Sequence, residues 1–516
     1  NDNKTLFYNR PDNTVRSYKV MKHTLGTDPG KDEEVYTEND NTFTVYVSPS
    51  LDNKYIFIFS NSTEATEARY IDASNTTKAP VLLQPRSRGL LYYPAYYGGD
   101  VFYIRTNKDA KNFKLASAPI SNPGIENWKD VVPHKKDEYF QGYYVLKNFL
   151  VTQTKKNGLN QISYTDWRTN KSFNIAFGED AYVASMYLPT DELSSDSIRF
   201  FYSSLTTPSS EFGYNLTSQK KNLLKKQQVG GGYTSGLYET KRIWSKATDG
   251  TMIPSTIVYR RDRMKKDGSN PMLLYAYGSY GANSEPYFNS SIISLLDRGF
   301  IYGIAHIRGG QELGREWYES GRQLKKKNTF TDFIDVAQYL VNEKYTSANR
   351  LFANGVSAGG MLMGAITNMR PDLFRGIIAE VPWMDVISDS FDPTIPLVSL
   401  EWDEWGNPGN KEVYDYMLTW SPMENVKKAN YPAILATGGL HDTQVPYYSP
   451  AKWVAKVREH NLGNNPVLLK TNMGAGHGGE SGRFERQKLT ALKFAFALNL
   501  LGWNEVSQTY SLPKQF

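Results

Sequence analysis

A serine stands among small residues in Gly355-Val356-Ser357-Ala358-Gly359, after the apolar run Leu351-Phe352-Ala353 and before the helical pattern AGGMLMGAITNM. The spacing G-x-S-x-G is that of a nucleophile elbow, a tight strand-to-helix turn that lifts a hydroxyl clear of a sheet. Flanking glycines admit neighbouring backbone where a Cβ would clash. The N–H of Ala358, at the start of the helix, then faces a developing oxyanion. The bland alternative is a plain Gly-rich turn. A strand before the serine and a helix after it favour the elbow.

Such a serine needs an acid and then a histidine later in the chain. Of six histidines, only His441, His460 and His477 follow it. His460 ends a charged helical pattern and reads as surface. His477 lies in MGAGHGGESGRF, just past the last apolar strand, with glycine on both sides. Asp442 lies in TGGLHDTQVP, after another strand, where a loop can bring it toward His477. The expected order is Ser357, Asp442, His477. His477 would take the Ser357 proton and return it to the leaving amine, while Asp442 fixes the imidazole tautomer. The bland reading of Asp442 is a turn aspartate, and Asp385 in VPWMDV is its rival as the acid. The HGGG oxyanion motif of lipases is absent. Instead, YAYGSYGAN follows an apolar strand, so a tyrosine hydroxyl is the expected second donor: Tyr277, with Tyr275 and Tyr280 as alternatives.

Other chemistries find less support. The chain has no cysteine, which excludes a thiol nucleophile, a thiolate metal site and a disulfide scaffold. No HExxH motif or histidine cluster appears, so neither a metal nor another cofactor is expected. The net charge of +6 comes from interspersed residues and is weak evidence for nucleic acid, which is not expected as a partner. No apolar run approaches the roughly 18 residues of a membrane span, so no membrane partner is expected either.

The elements that position these residues follow two grammars. Residues 1–230 read as short aromatic and β-branched strands, such as TFTVYVS, KYIFIFS and NFLVTQT, separated by polar turn clusters. Strand-like segments recur at Val20, Ile71, Leu115, Tyr164 and Leu216, spaced by 51, 44, 49 and 52 residues. A period near 50 in an all-β region predicts propeller blades of about four strands, five of them here. The alternative is an irregular sandwich. QKKNLLKKQQVGGGYTSG, residues 219–236, reads as a charged, then glycine-rich linker. Residues 231–516 alternate strands with helices, which predicts a mostly parallel sheet covered by helices. TFTDFIDVAQYLVNEKY is one such helix, with Phe330, Phe333, Val336 and Leu340 on one face.

With these residues in place, the chain resembles the prolyl oligopeptidase family, and its oligopeptidase B branch. The resemblance is carried by YGSYGA, SLLDRGF, HIRGGQELGREWYESG, LKKKNTF, SAGGMLMGA, RPDLF, EWGNP, YSPAKWVAK and GHGGESGRF, all in one order along nearly the whole chain. It implies a multi-domain protein in which an α/β-hydrolase domain joins a seven-bladed β-propeller that covers the site and restricts substrate size. It implies the triad above, with Tyr277 and the Ala358 amide as the oxyanion hole. It also implies a preceding hydrolase segment and about two further blades, since the chain begins at Asn1 in mid-pattern. A cytoplasmic location is expected, with the periplasm as the alternative.

The resemblance also implies what is cut. The branch cleaves short peptides after Arg or Lys, and the acidic residues that read P1 fall in LEWDEWGNP, at Glu401 and Asp403. Sequence alone would make this a solvated acidic loop. Trp383 is implied as an aromatic wall of the same pocket. The P2-reading acids fall in NSEPYF, where Glu285 is kept and Tyr287 replaces the second carboxylate, so weak P2 discrimination is expected. The rival functions are post-proline cleavage, an esterase with the same triad, and a non-catalytic propeller platform. The oligomeric state is not legible.

Overall fold

The computed structural model describes residues 2–482 and 484–510. Arg483 of GHGGESGRF and residues 511–516 of the second half lie outside the described residues. Five antiparallel up-and-down sheets occupy the first half in chain order. The first has three strands, Thr5–Pro11, Ser17–Thr24 and Glu33–Thr37. The others have four each and run from Thr44 to Gln84, Tyr92 to Val132, Tyr139 to Ile175 and Val183 to Lys226. The period near 50 is the recurrence of one strand position. Val20, Ile71, Leu115 and Tyr164 lie on equivalent strands, and Leu216 falls just past its own.

Alternation along these strands puts one side chain in two inside, as in Leu159–Asp166. Both faces are used, because consecutive sheets stack on each other. Val20, Val45 and Ile71 join the first two sheets. Phe57 and Phe102 join the next pair, Leu115 and Leu150 the next, and Tyr164 and Phe200 the last. Face-to-face stacking of successive four-stranded meanders is propeller-blade packing. One expectation is corrected here. Lys221–Lys226, read as linker, is the outer strand of the fifth sheet, and all six residues are exposed. An edge strand tolerates, and is protected by, lysines that would be excluded from a core strand.

The second half is built on one eight-stranded sheet. Its strands are β1 (Tyr238–Lys246), β2 (Met252–Arg260), β3 (Met272–Tyr275), β4 (Ile301–Ala305), β5 (Leu351–Val356), β6 (Gly376–Glu380), β7 (Ala433–Gly439) and β8 (Val467–Asn472). The order is β1-β2-β4-β3-β5-β6-β7-β8, antiparallel at β1–β2–β4 and parallel beyond. The middle strands are apolar throughout because helices cover both faces. Those used below are α1 (Ser290–Asp297), α2 (Lys327–Asn342), α3 (Ala358–Met369), α4 (Val386–Phe391), α5 (Val398–Trp405), α6 (Tyr448–His460) and α7 (Glu485–Leu500). On α2 the expected stripe of Phe330, Phe333, Val336 and Leu340 is fully buried. It packs with α3 and α6 on one face, and α1 and α7 close the other. Among the described residues no helix is long and apolar enough to cross a membrane.

Candidate active site

Tyr277, Ser357, Trp383, Asp442 and His477 each follow the C-terminal end of a parallel strand, β3, β5, β6, β7 and β8 in turn, where open α/β sheets leave room for ligands. Ser357 joins β5 to α3 with φ 57° and ψ −119°, a backbone conformation strained for a non-glycine residue. Its N–H donates to the Glu380 carbonyl at 2.8 Å, and its carbonyl accepts from Met361 N–H at 3.0 Å. Two glycines make the turn feasible. A Cβ on Gly355 would lie 2.1 Å from the Gly359 oxygen, and one on Gly359 would lie 2.8 Å from the Ala276 oxygen. The loop after β3 can therefore press against the start of α3, which brings Tyr277 to Ser357.

Burial and the charge of Glu401 push the Tyr277 phenol up to about 12, and a hydrogen bond with Ser357 works against that rise. Tyr277 therefore keeps its proton at neutral pH and can donate it. Behind it, the ammonium of buried Lys326 donates to Gly278 O at 2.6 Å, Ser279 Oγ at 2.9 Å and Gly321 O at 3.2 Å. Burial pulls Lys326 down to about 7. Sequence reasoning passed over this lysine, which sits in LKKKNTF as one of three.

Asp442 and His477 meet. His477 Nδ1 lies 2.7 Å from Asp442 Oδ2, and the Asp442 side chain is 1% exposed. Asp442 Oδ1 accepts from the N–H groups of Gln444 and Val445 at 2.9 and 2.8 Å, so the carboxylate is fixed by its own turn. The loops carrying the two residues are joined through backbone, His441 N–H donating to the Ala475 carbonyl at 3.0 Å. The rival Asp385 pairs instead with Lys452, and His460 stays at the end of α6 with Nδ1 2.9 Å from the Lys456 carbonyl. Ser357 and His477 line different cavities, and among the described residues no hydrogen bond joins them.

A cavity of about 70 Å³ opens beside Ser357, lined among others by Tyr280, Trp383, Asp389, Glu401 and Trp405. Glu401 Oε2 accepts from the Tyr280 hydroxyl at 2.5 Å and from Trp405 Nε1 at 2.7 Å. Burial pushes its carboxyl up to about 6. Tyr280, one of the oxyanion alternatives, is thus committed to Glu401. The walls are aromatic: Trp383 meets Trp405 with ring centroids 5.1 Å apart.

One expectation is corrected. Asp403 does not line this cavity; its Oδ1 accepts from Arg88 of the first half at 2.9 Å. Glu401 and Asp403 lie two positions apart on α5 and so face opposite ways. Glu285, expected at P2 and not in this cavity, is paired with the fully buried Lys155. Asp389 was missed. It sits on α4, and no local pattern ties it to Glu401, which lies on a separate helix.

Comparison with known proteins accounts for both halves. The prolyl oligopeptidase N-terminal β-propeller domain matches residues 1–227, and the prolyl oligopeptidase family matches residues 286–503. Dipeptidyl aminopeptidase BI of Pseudoxanthomonas mexicana is 44% identical over 505 residues, spanning 97% of this chain and 69% of the relative. Protease 2 of Moraxella lacunata is 38% identical over 497 residues, 96% of this chain and 71% of the relative. Oligopeptidase B from Leishmania major superposes with a TM-score of 0.93 at 37% identity, covering 99% of this chain and 72% of that one. Oligopeptidase B from Trypanosoma brucei, in a closed form with covalently bound antipain, gives 0.92 at 36%, covering 96% and 71%. An elbow serine on an α/β sheet, stacked blades before it and these matches along both parts place the chain in the prolyl oligopeptidase family of serine peptidases, close to oligopeptidase B.

Proposed function

We propose that this chain hydrolyses short peptides on the carboxyl side of Arg or Lys. In this reading residues 231–516 form the catalytic domain and residues 1–230 the propeller that restricts substrate size. His477 accepts the Ser357 proton as the hydroxyl attacks the scissile carbonyl. Tyr277 and the Ala358 N–H stabilise the oxyanion, and the intermediate collapses to an acyl-enzyme as His477 protonates the leaving amine. Water, activated by the same imidazole, then releases the acid. Turnover requires His477 Nε2 to reach the Ser357 hydroxyl, a contact that can tighten only once substrate is bound.

The observation that carries the P1 assignment is Glu401. It is a carboxylate in the cavity beside Ser357, and no lysine or arginine pairs with it among the described residues. A substrate guanidinium or ammonium would supply the charge it lacks. A panel of fluorogenic peptide amides with Arg, Lys or Pro at P1, with Ser357→Ala as control, tests this. Cleavage of Arg and Lys amides, lost in the variant, is expected. Cleavage after Pro alone would move the chain to the post-proline branch, and hydrolysis of esters without amides would make it an esterase.

A second reading concerns mode rather than chemistry. The relative from Pseudoxanthomonas mexicana is named a dipeptidyl aminopeptidase. Release of dipeptides from free N-termini is the activity that name describes, and pairing N-blocked with free substrates in the same panel separates it from endopeptidase action.

A further inference from the structure

Two carboxylates line the cavity beside Ser357. Glu401 comes from α5 and Asp389 from α4. Each is tied to an indole: Trp405 Nε1 donates to Glu401 at 2.7 Å and Trp383 Nε1 to Asp389 Oδ2 at 3.0 Å. The two indoles touch, at an interplanar angle of 63°. The acids therefore flank one pair of rings, and Asp389 is only 3% exposed.

Among the described residues no lysine or arginine forms an ion pair with either acid. Lys452, the nearest in charge terms, forms its ion pair with Asp385. The Lys326 ammonium donates to Gly278, Ser279 and Gly321. The Ser449 hydroxyl also hydrogen-bonds Asp389. Burial and the adjacent Asp385 push Asp389 up to about 7. A buried acid in this state gains most from a cation that arrives with the ligand.

We propose that Asp389 is a second specificity-determining carboxylate of the P1 slot, and that the slot seats a guanidinium between Asp389 and Glu401. The proposal rests on the basic-P1 reading and sharpens it to arginine. A guanidinium presents five N–H groups in a planar fork and can serve two carboxylates on different sides. An ammonium is a compact point charge that one carboxylate satisfies. Removing the Asp389 charge should therefore penalise Arg substrates more than Lys substrates.

The test compares kcat/KM for N-blocked Gly-Arg and Gly-Lys coumarin amides on the full chain and on Asp389→Asn, Asp389→Ser, Glu401→Gln and the Asn/Gln double variant. Asparagine keeps the shape and an acceptor for Trp383; serine is the second variant should asparagine fail to fold. The expected result is an Arg rate about tenfold lower with a Lys rate changed much less, so that the Arg/Lys ratio falls. The double variant should lose less than the product of the two single losses. An unchanged Arg/Lys ratio in the Asp389 variants overturns the proposal, whether rates hold or both substrates slow together as a structural defect would make them. If that happens while the wild-type chain still prefers basic P1 residues, the basic-P1 reading survives alone. A wild-type chain with no such preference overturns both.

Discussion

Lys155, a wholly buried residue of the fourth sheet, forms an ion pair with Glu285 of the catalytic half. The carboxylate that the resemblance implies for P2 is therefore used to neutralise a lysine inside the molecule.

The first prediction follows from that pair. Arg-Arg and Gly-Arg substrates should be cleaved with similar kcat/KM, within about threefold, because Glu285 is committed and Tyr287 carries no charge. Discrimination of a hundredfold would refute it. Glu285→Gln should instead destabilise the fold by about 3 kcal/mol by stranding a buried ammonium. The double variant Lys155→Met with Glu285→Leu should recover most of that loss in denaturant unfolding.

Glu401→Gln should separate activity from stability. Loss of the charge that would pair with P1 is expected to lower kcat/KM for Arg amides about a hundredfold. Burial raises the Glu401 carboxyl from 4.5 to about 6, so the folded state binds its proton more tightly than the unfolded chain. The stability this gives is full below pH 4.5 and is lost as pH rises through about 6, which makes ionisation at pH 7 cost about 2 kcal/mol. The neutral glutamine escapes that cost, so the variant should melt higher than wild type at pH 7 and gain little at pH 4.

The same carboxyl sets a pH signature. As pH falls through about 6, Glu401 takes a proton and can no longer pair with a basic P1 side chain. The ratio of kcat/KM for an Arg amide to that for an uncharged ester should fall toward pH 5. Taking the ratio cancels changes in the catalytic steps common to both substrates. A ratio that stays flat from pH 8 to 5 would mean that Glu401 does not read P1.

Tyr277→Phe should act on the transition state. A donor made only to the oxyanion lowers kcat and leaves KM nearly unchanged, by about a hundredfold in kcat. A rise in KM at constant kcat would assign Tyr277 to substrate binding. Tyr280→Phe is the contrast: it removes a hydrogen bond to Glu401 and should weaken Arg substrates selectively.

What could be read from the chain divides by distance. The strand-to-helix junction at Ser357 is a local pattern, and so is the stripe on α2. Asp442 and His477 were legible because each follows a strand whose place in the sheet is set by the alternation of elements. The phase of a short helix was not, so Glu401 and the shorter Asp403 were both assigned to P1 until α5 turned them apart. Asp389, on α4, and Tyr280, in the loop after β3, join the site only because the segments after β3 and β6 converge there. The Lys221–Lys226 strand was hidden for a different reason: an outer edge makes no apolar demand on sequence, so it looks like linker.

The strained turn at Ser357 has a consequence beyond turnover. A left-handed φ of 57° costs a non-glycine residue about 1 kcal/mol or more, and glycine very little. Selection for hydrolysis alone keeps a hydroxyl there. In a lineage released from that selection, a single change at this position to glycine would remove activity while relieving the strain, a gain of the same order as glycine's entropic cost. The scaffold itself would then set little barrier against loss of function.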